Sequence, residues 1–183
     1  MKIISGRYKA VKIKVPKGIR PVSLRVKKSC FDILAKVIEE SSVLDLYAGS
    51  GSLGLEALSQ GAKRAIFVDS SFECTQAIKT NIQALKVSTD TDILVKDSIE
   101  SIEDFFRRKI YFDLIFLDPP YYQGTITKAL HAIGEYDIVA PFGYVACFCY
   151  IKDKVPKDCK NLELILKRKY GQTLFLIYNK KPS

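Results

Sequence analysis

Two rhythms divide the chain at Ser42. Beyond it, short apolar runs at 43–47, 65–68, 93–95, 112–117 and 144–150 alternate with stretches at 53–59, 72–85, 99–108 and 125–133. In those longer stretches apolar residues return every three or four positions. The runs have strand length and are bounded by turn residues; the stretches between them read as helices. Strands separated by helices make βαβ units and a mostly parallel sheet, covered on both faces. The end of the chain breaks the rhythm. Runs at 162–166 and 173–178 flank Tyr170-Gly171-Gln172 with no room for a helix, which predicts an antiparallel hairpin at the sheet edge.

Before Ser42 the pattern differs. Val11-Lys12-Ile13-Lys14-Val15 alternates strictly, as a strand with one wet face does, and Ile3-Ile4 ahead of Gly6 suggests a preceding strand and turn. Pro16-Lys17-Gly18 ends the alternation. Val26, Cys30, Phe31, Leu34, Val37 and Ile38 then recur at helical spacing. The expectation is a hairpin arm and linker over residues 1–28 and a body over 29–183. With 183 residues, 48% of them hydrophobic, the chain has the size of one catalytic domain with a small appendage.

Charge changes this picture, because it is concentrated in the arm. Residues 1–28 hold ten Lys and Arg side chains and no Asp or Glu, so +10 of a total of +9 lies there and −1 on everything after Lys28. Such a segment attracts polyanions, and Arg7, Lys9, Lys12, Lys14, Lys17, Arg20 and Arg25 are the candidate contacts to nucleic-acid phosphates. No apolar run reaches the roughly 18 residues a membrane helix needs, and Lys alternates with aliphatics where a signal peptide would have an apolar core. A soluble, cytoplasmic protein with no membrane partner is expected. The five cysteines lack any C-x-x-C spacing and His131 is the single histidine, so neither a disulfide framework nor a metal site is expected.

Two motifs carry chemistry. Val43-Leu44-Asp45-Leu46-Tyr47-Ala48-Gly49-Ser50-Gly51-Ser52-Leu53-Gly54 runs from an apolar strand through a Gly-rich turn into a helix. Gly49, Gly51 and Gly54 let a nucleotide cofactor approach the backbone, and Asp69, 20 residues past Gly49, would accept ribose hydroxyls. A dinucleotide would fit this half of the signal equally well. Asp45 favours S-adenosylmethionine, since a pyrophosphate has no use for a nearby carboxylate whereas a ligand with an ammonium group does. Tyr47, Ala48, Ser50 and the glycines complete the candidate cofactor loop. Asp97, after the third run, either binds the cofactor's adenine amino group or caps a helix.

The second motif is the apolar run 112–117 followed by Asp118-Pro119-Pro120-Tyr121. An exocyclic base amino group is a poor nucleophile, because its lone pair is delocalised into the ring. Two acceptors on its two N–H bonds, the Asp118 carboxylate and the Pro119 carbonyl, would orient it and free the lone pair to attack a sulfonium methyl in line. Pro120 stiffens the corner, and Tyr121 would stack on the extruded base, a contact worth about 1–3 kcal/mol. No metal is required.

With these residues the chain resembles the bacterial small-subunit ribosomal RNA guanine-N2 methyltransferases of the RsmD type, which modify one guanine of 16S rRNA. The likeness runs through Ile3-Ile4-Ser5-Gly6-Arg7-Tyr8-Lys9, Val15-Pro16-Lys17-Gly18, Arg20-Pro21, the loop from Asp45 to Ala57, Asp118-Pro119-Pro120-Tyr121 and Lys169-Tyr170-Gly171-Gln172-Thr173. It implies a seven-stranded, Rossmann-like class I methyltransferase fold that releases S-adenosylhomocysteine. It also implies Asp118 to Tyr121 as the catalytic loop, and a basic hairpin that grips ribosomal RNA or the assembled 30S particle, in a monomer. Val22, Leu24 and Lys28 stand where the family usually has Thr, Asp and Glu, and Asp69 where it often has Glu. Two other readings stay open: an N6-adenine DNA methyltransferase, for which the chain lacks room for a target-recognition domain, and a non-catalytic nucleotide- or RNA-binding α/β protein.

Overall fold

The computed structural model describes residues 1–121 and 124–181. Its strands are β1 (Ser42–Leu46), β2 (Arg64–Asp69), β3 (Thr91–Val95), β4 (Phe112–Leu117), β5 (Val139–Tyr150), β6 (Asp158–Cys159), β7 (Leu162–Tyr170) and β8 (Thr173–Lys180). Among the described residues five α-helices, α1 (Leu24–Ile38), α2 (Ser52–Ser59), α3 (Phe72–Leu85), α4 (Ser98–Arg107) and α5 (Thr125–Tyr136), connect or precede them. The strands form one sheet in the order β3-β2-β1-β4-β5-β8-β7-β6. The first five pair in parallel, and β8, β7 and β6 add antiparallel.

Strand order reverses between β1 and β4. In a doubly wound sheet the loops at the carboxyl ends of the strands part at such a point and leave a crevice for a ligand. Both faces of the sheet are covered, as the apolar runs require. Leu34 of α1, Leu55 of α2, Ile78 of α3 and Phe116 of β4 belong to one buried cluster. Phe105 of α4, Leu130 of α5 and Leu117 of β4 belong to the other.

The expected parallel sheet and C-terminal hairpin are present, with three differences. The described residues form eight strands where seven were expected; the extra one, β6, is two residues long and too short to leave a period in the sequence. Helix α1 begins at Leu24, because Ser23 caps it by accepting the Val26 N–H, so residues 24–28 lie in a helix that continues past the expected boundary after Lys28. The arm folds back antiparallel, with Lys2 opposite Lys12 in an isolated bridge, rather than forming two full strands. Its alternation still shows in burial: Ile13 is buried while Lys12 and Lys14 are exposed.

Buried polar groups bolt the arm to the body. The Glu56 carboxylate accepts the N–H groups of Ile4 and Ser5 at 2.8–3.1 Å, and Asn81 accepts the Lys14 N–H at 2.7 Å while donating to the Lys14 carbonyl at 2.9 Å. Gly6 lies so close to α2 that a Cβ there would sit 1.8 Å from the Ser59 carbonyl oxygen. Among the described residues no helix is long and apolar enough to cross a membrane.

Candidate active site

The loop after β1 is assembled by carboxylates from two strands. Asp45, facing α2 from β1 and 1% exposed, accepts the Gly54 N–H at 2.9 Å. It thus caps α2, whose own N-cap, Gly51, has no side chain to do so. Asp69, at the end of β2, takes the Gly49 N–H at 2.8 Å through one oxygen and the Ser71 N–H at 2.9 Å through the other. Gly54 serves packing: a Cβ there would meet the Phe67 ring at 2.4 Å. The Ser50 carbonyl accepts from Asn81 at 3.0 Å, so one buried amide links the loop to the arm.

Beneath the loop lies an ion pair that the charge pattern did not reveal. Lys27 and Glu56, both fully buried, meet at 2.9 Å, and the same ammonium donates to the Ser52 carbonyl at 2.7 Å. Burial pushes the Lys27 pKa down against the pull of Glu56 and then Asp45. Lys27 therefore contributes no surface charge, and nine of the arm's ten cations remain for a partner.

The loop after β4 is built differently. Leu117 pairs with Leu46 of β1, so Asp118 emerges beside the Gly-rich turn. Among the described residues no donor reaches its carboxylate within hydrogen-bond distance. Burial pushes this carboxyl up to about 7, with the Arg20 guanidinium pulling the other way. The Tyr121 hydroxyl lies 3.0 Å from Thr173 Oγ1, its ring 5.9 Å from that of Tyr150, and the Arg20 guanidinium 5.9 Å from its centroid.

These parts face one cavity of about 610 Å³, a volume suited to a nucleotide-sized ligand. Asp45, Tyr47, Ala48, Gly49, Ser50 and Asp69 line one side, and Asp118, Pro119, Pro120 and Tyr121 another. Burial first, then repulsion from Asp118 and Asp69, raises Asp45 to about 8 in spite of the Gly54 N–H. A carboxylate held so high gains its charge most readily when a cation binds beside it.

Two residues of the expected cofactor set do not line the cavity. Gly51 turns the chain into α2 at φ 74°, and Asp97 caps α4 through the Ile99 and Glu100 N–H groups at 2.8 and 3.2 Å. Burial raises the Tyr47 hydroxyl above the usual tyrosine range, with Ser98 pulling it down and the Asp97 charge pushing it up. Of the expected RNA contacts, Arg7, Lys9, Lys12, Lys14, Lys17, Arg20 and Arg25 are all exposed, but Arg20 is also part of the cavity wall. Ile19 and Val22 line the cavity with it, a role the sequence did not announce. Gly18 and Pro21 mark the segment as a loop without saying which crevice it closes.

The family model described as "Conserved hypothetical protein 95" matches residues 1–179. The chain is 33% identical over 183 residues to "Putative rRNA methyltransferase YlbH" of Bacillus subtilis, covering 99% of this chain and 100% of that protein. It is 30% identical to "Ribosomal RNA small subunit methyltransferase D" of Haemophilus influenzae, covering 97% and 93%. A solved structure titled "Putative methyltransferase yhhF from Escherichia coli" superposes with a TM-score of 0.87 at 27% identity, covering 100% of this chain and 99% of that one.

Proposed function

The chain belongs to the Conserved hypothetical protein 95 family, the RsmD-type methyltransferases it resembles in sequence, and from that premise we propose that it transfers the methyl group of S-adenosylmethionine to the exocyclic N2 of a guanine in 16S ribosomal RNA. The observation that carries the reading is the single cavity in which a carboxylate-lined Gly-rich loop faces Asp118-Pro119-Pro120-Tyr121.

The residues present suit the cofactor. Asp45 is a buried carboxylate whose raised pKa calls for a cation, as an amino-acid ammonium or a sulfonium would provide, and Asp69 retains free lone pairs for ribose hydroxyls. The bound cofactor supplies an electrophilic methyl group on sulfonium sulfur. At the opposite wall, Asp118 and the Pro119 carbonyl accept the two N–H bonds of the guanine amino group, turning its lone pair toward that methyl. The cofactor would supply that methyl and keep the electrons of the bond it gives up, which leaves this chain's residues the nitrogen's proton to handle. The nitrogen then sheds one proton, for which the Asp118 carboxylate is the adjacent base. Tyr121, braced by Thr173 and Arg20, is the ring on which the base stacks.

Nine exposed cations on the arm supply the polyanion attraction that a large RNA requires. The test is transfer of labelled methyl to unmodified small-subunit RNA or particles, followed by mass spectrometry of the digested RNA. Label in N2-methylguanine is expected. Absence of label with folded protein, or label in N6-methyladenine of duplex DNA, would overturn the assignment.

A further inference from the structure

Lys167-Arg168-Lys169-Tyr170 closes β7 with three cations and a ring that the chemistry above does not use. Strand register brings this end to the site. Tyr150, the last residue of β5, pairs with Thr173, and Thr173 pairs with Tyr170, so the hairpin tip stands at the carboxyl edge of the sheet. Two side-chain bonds hold it there. Thr173 meets the Tyr121 hydroxyl at 3.0 Å, and the Tyr170 hydroxyl shares a 2.5 Å hydrogen bond with Ser29 of α1.

Two guanidiniums converge on that corner. Arg25 stands 5.8 Å from the centroid of the Tyr170 ring. Arg168 lies two residues before Tyr170 and so on the same face, opposite Phe175, which belongs to the buried cluster under α1. The Ser29 hydrogen bond, followed by the hydrogen bond and charge of Arg168 and the charge of Arg25, draws the Tyr170 hydroxyl below the usual tyrosine range. Both arginines are exposed, and among the described residues neither is paired with a carboxylate. Forked donors beside a ring, unspent on the protein's own acids, suit a phosphate with its neighbouring base.

We infer that Arg25, Arg168 and Tyr170 form a second RNA-backbone contact, across β4 from the arm's anchors on α2 and α3. The inference rests on the RNA reading above and extends it. A strand held by the arm alone is free to pivot; a second phosphate grip beyond the catalytic loop fixes the nucleotide that Asp118 receives.

The experiment measures binding of unmodified 16S RNA by the full chain as a function of salt. Arg168→Gln should reduce the slope of log K against log salt by about 0.7 to 0.9, one phosphate contact. It should also raise KM for RNA several-fold, with S-adenosylhomocysteine affinity unchanged. Lys109→Gln, an exposed cation just before β4 at the opposite edge of the sheet, is the charge control and should leave the slope unchanged. An unaltered slope in Arg168→Gln, or an equal fall in Lys109→Gln, would overturn the second contact. Because the slope is read from binding alone, a wild-type protein that binds RNA but transfers no methyl would instead sink the functional reading.

Discussion

The two loops that meet at the crevice are built on opposite principles. After β1, polar groups are already spent on the protein: Asp45 on Gly54, Asp69 on Gly49 and Ser71, the Ser50 carbonyl on Asn81. After β4, Asp118 receives no hydrogen bond from the described residues, and burial leaves its carboxyl near 7. A loop bonded to itself keeps its shape before any ligand arrives. A loop with idle acceptors in a half-dry wall gains hydrogen bonds only when a ligand brings donors. The first suits a cofactor that must be held in one pose, the second a substrate whose amino group supplies the missing partners.

The largest effect tests the first loop's foundation. Glu56→Ala strips the partner from buried Lys27 and the acceptor from Ile4 and Ser5, so urea denaturation should report a loss of about 3–5 kcal/mol. A loss under 1 kcal/mol would mean the loop does not depend on this hub. Next, Asp118→Asn should lower kcat by about 10²–10³, equivalent to about 3–4 kcal/mol, while calorimetry finds S-adenosylhomocysteine bound as in the wild type. Loss of both activities would erase the distinction between the loops.

Asn81→Ala comes third. It orphans the Lys14 N–H and carbonyl and the Ser50 carbonyl, and should cost about 1–3 kcal/mol in stability. It should also weaken cofactor and RNA binding together, since one amide serves both; a fall in one affinity alone would show that loop and arm are independent.

The smallest effect sharpens the contrast by pH. Asp118 must be ionised to accept, and its folded pKa of about 7 lies above the ordinary carboxylate value, so kcat/KM should fall about tenfold per unit as pH drops below 7. A flat profile from pH 5 to 9 would contradict the assigned role. Stability runs the other way. With Asp118 near 7 and Asp45 near 8, the folded chain binds protons that the unfolded chain has released above about pH 4. Cofactor-free protein should therefore melt at progressively lower temperature from pH 5 to 8, and thermal scans across that range check the sign.

Much of this was legible in the residues themselves. The runs at 43–47 and 112–117 are apolar because both sheet faces are covered, and each hands its last residue to a loop with its own chemical signature. Period and turn chemistry are local properties, so the β1 and β4 loops, the C-terminal hairpin and the alternation of 11–15 can be read along the chain. Asp97 shows where local reading divides: an acid after a strand and before a helix serves equally as ligand or cap, and the bonds it accepts from the Ile99 and Glu100 N–H groups show it capping α4.

What the tertiary structure decided involves partners far apart in sequence. Lys27 looked like any other cation of the arm until α1 laid it against Glu56. Arg20 read as one more cation of the arm, and the fold also set it in the cavity wall, over Tyr121. Tyr170 looked like a turn residue until register and the Ser29 bond carried it to α1, beside Arg25. A charge or a ring has no period that tells whether it faces water, an acid or a cavity. That depends on which surfaces the sheet brings together, and the order of β1, β4, β5 and β8 brought these together.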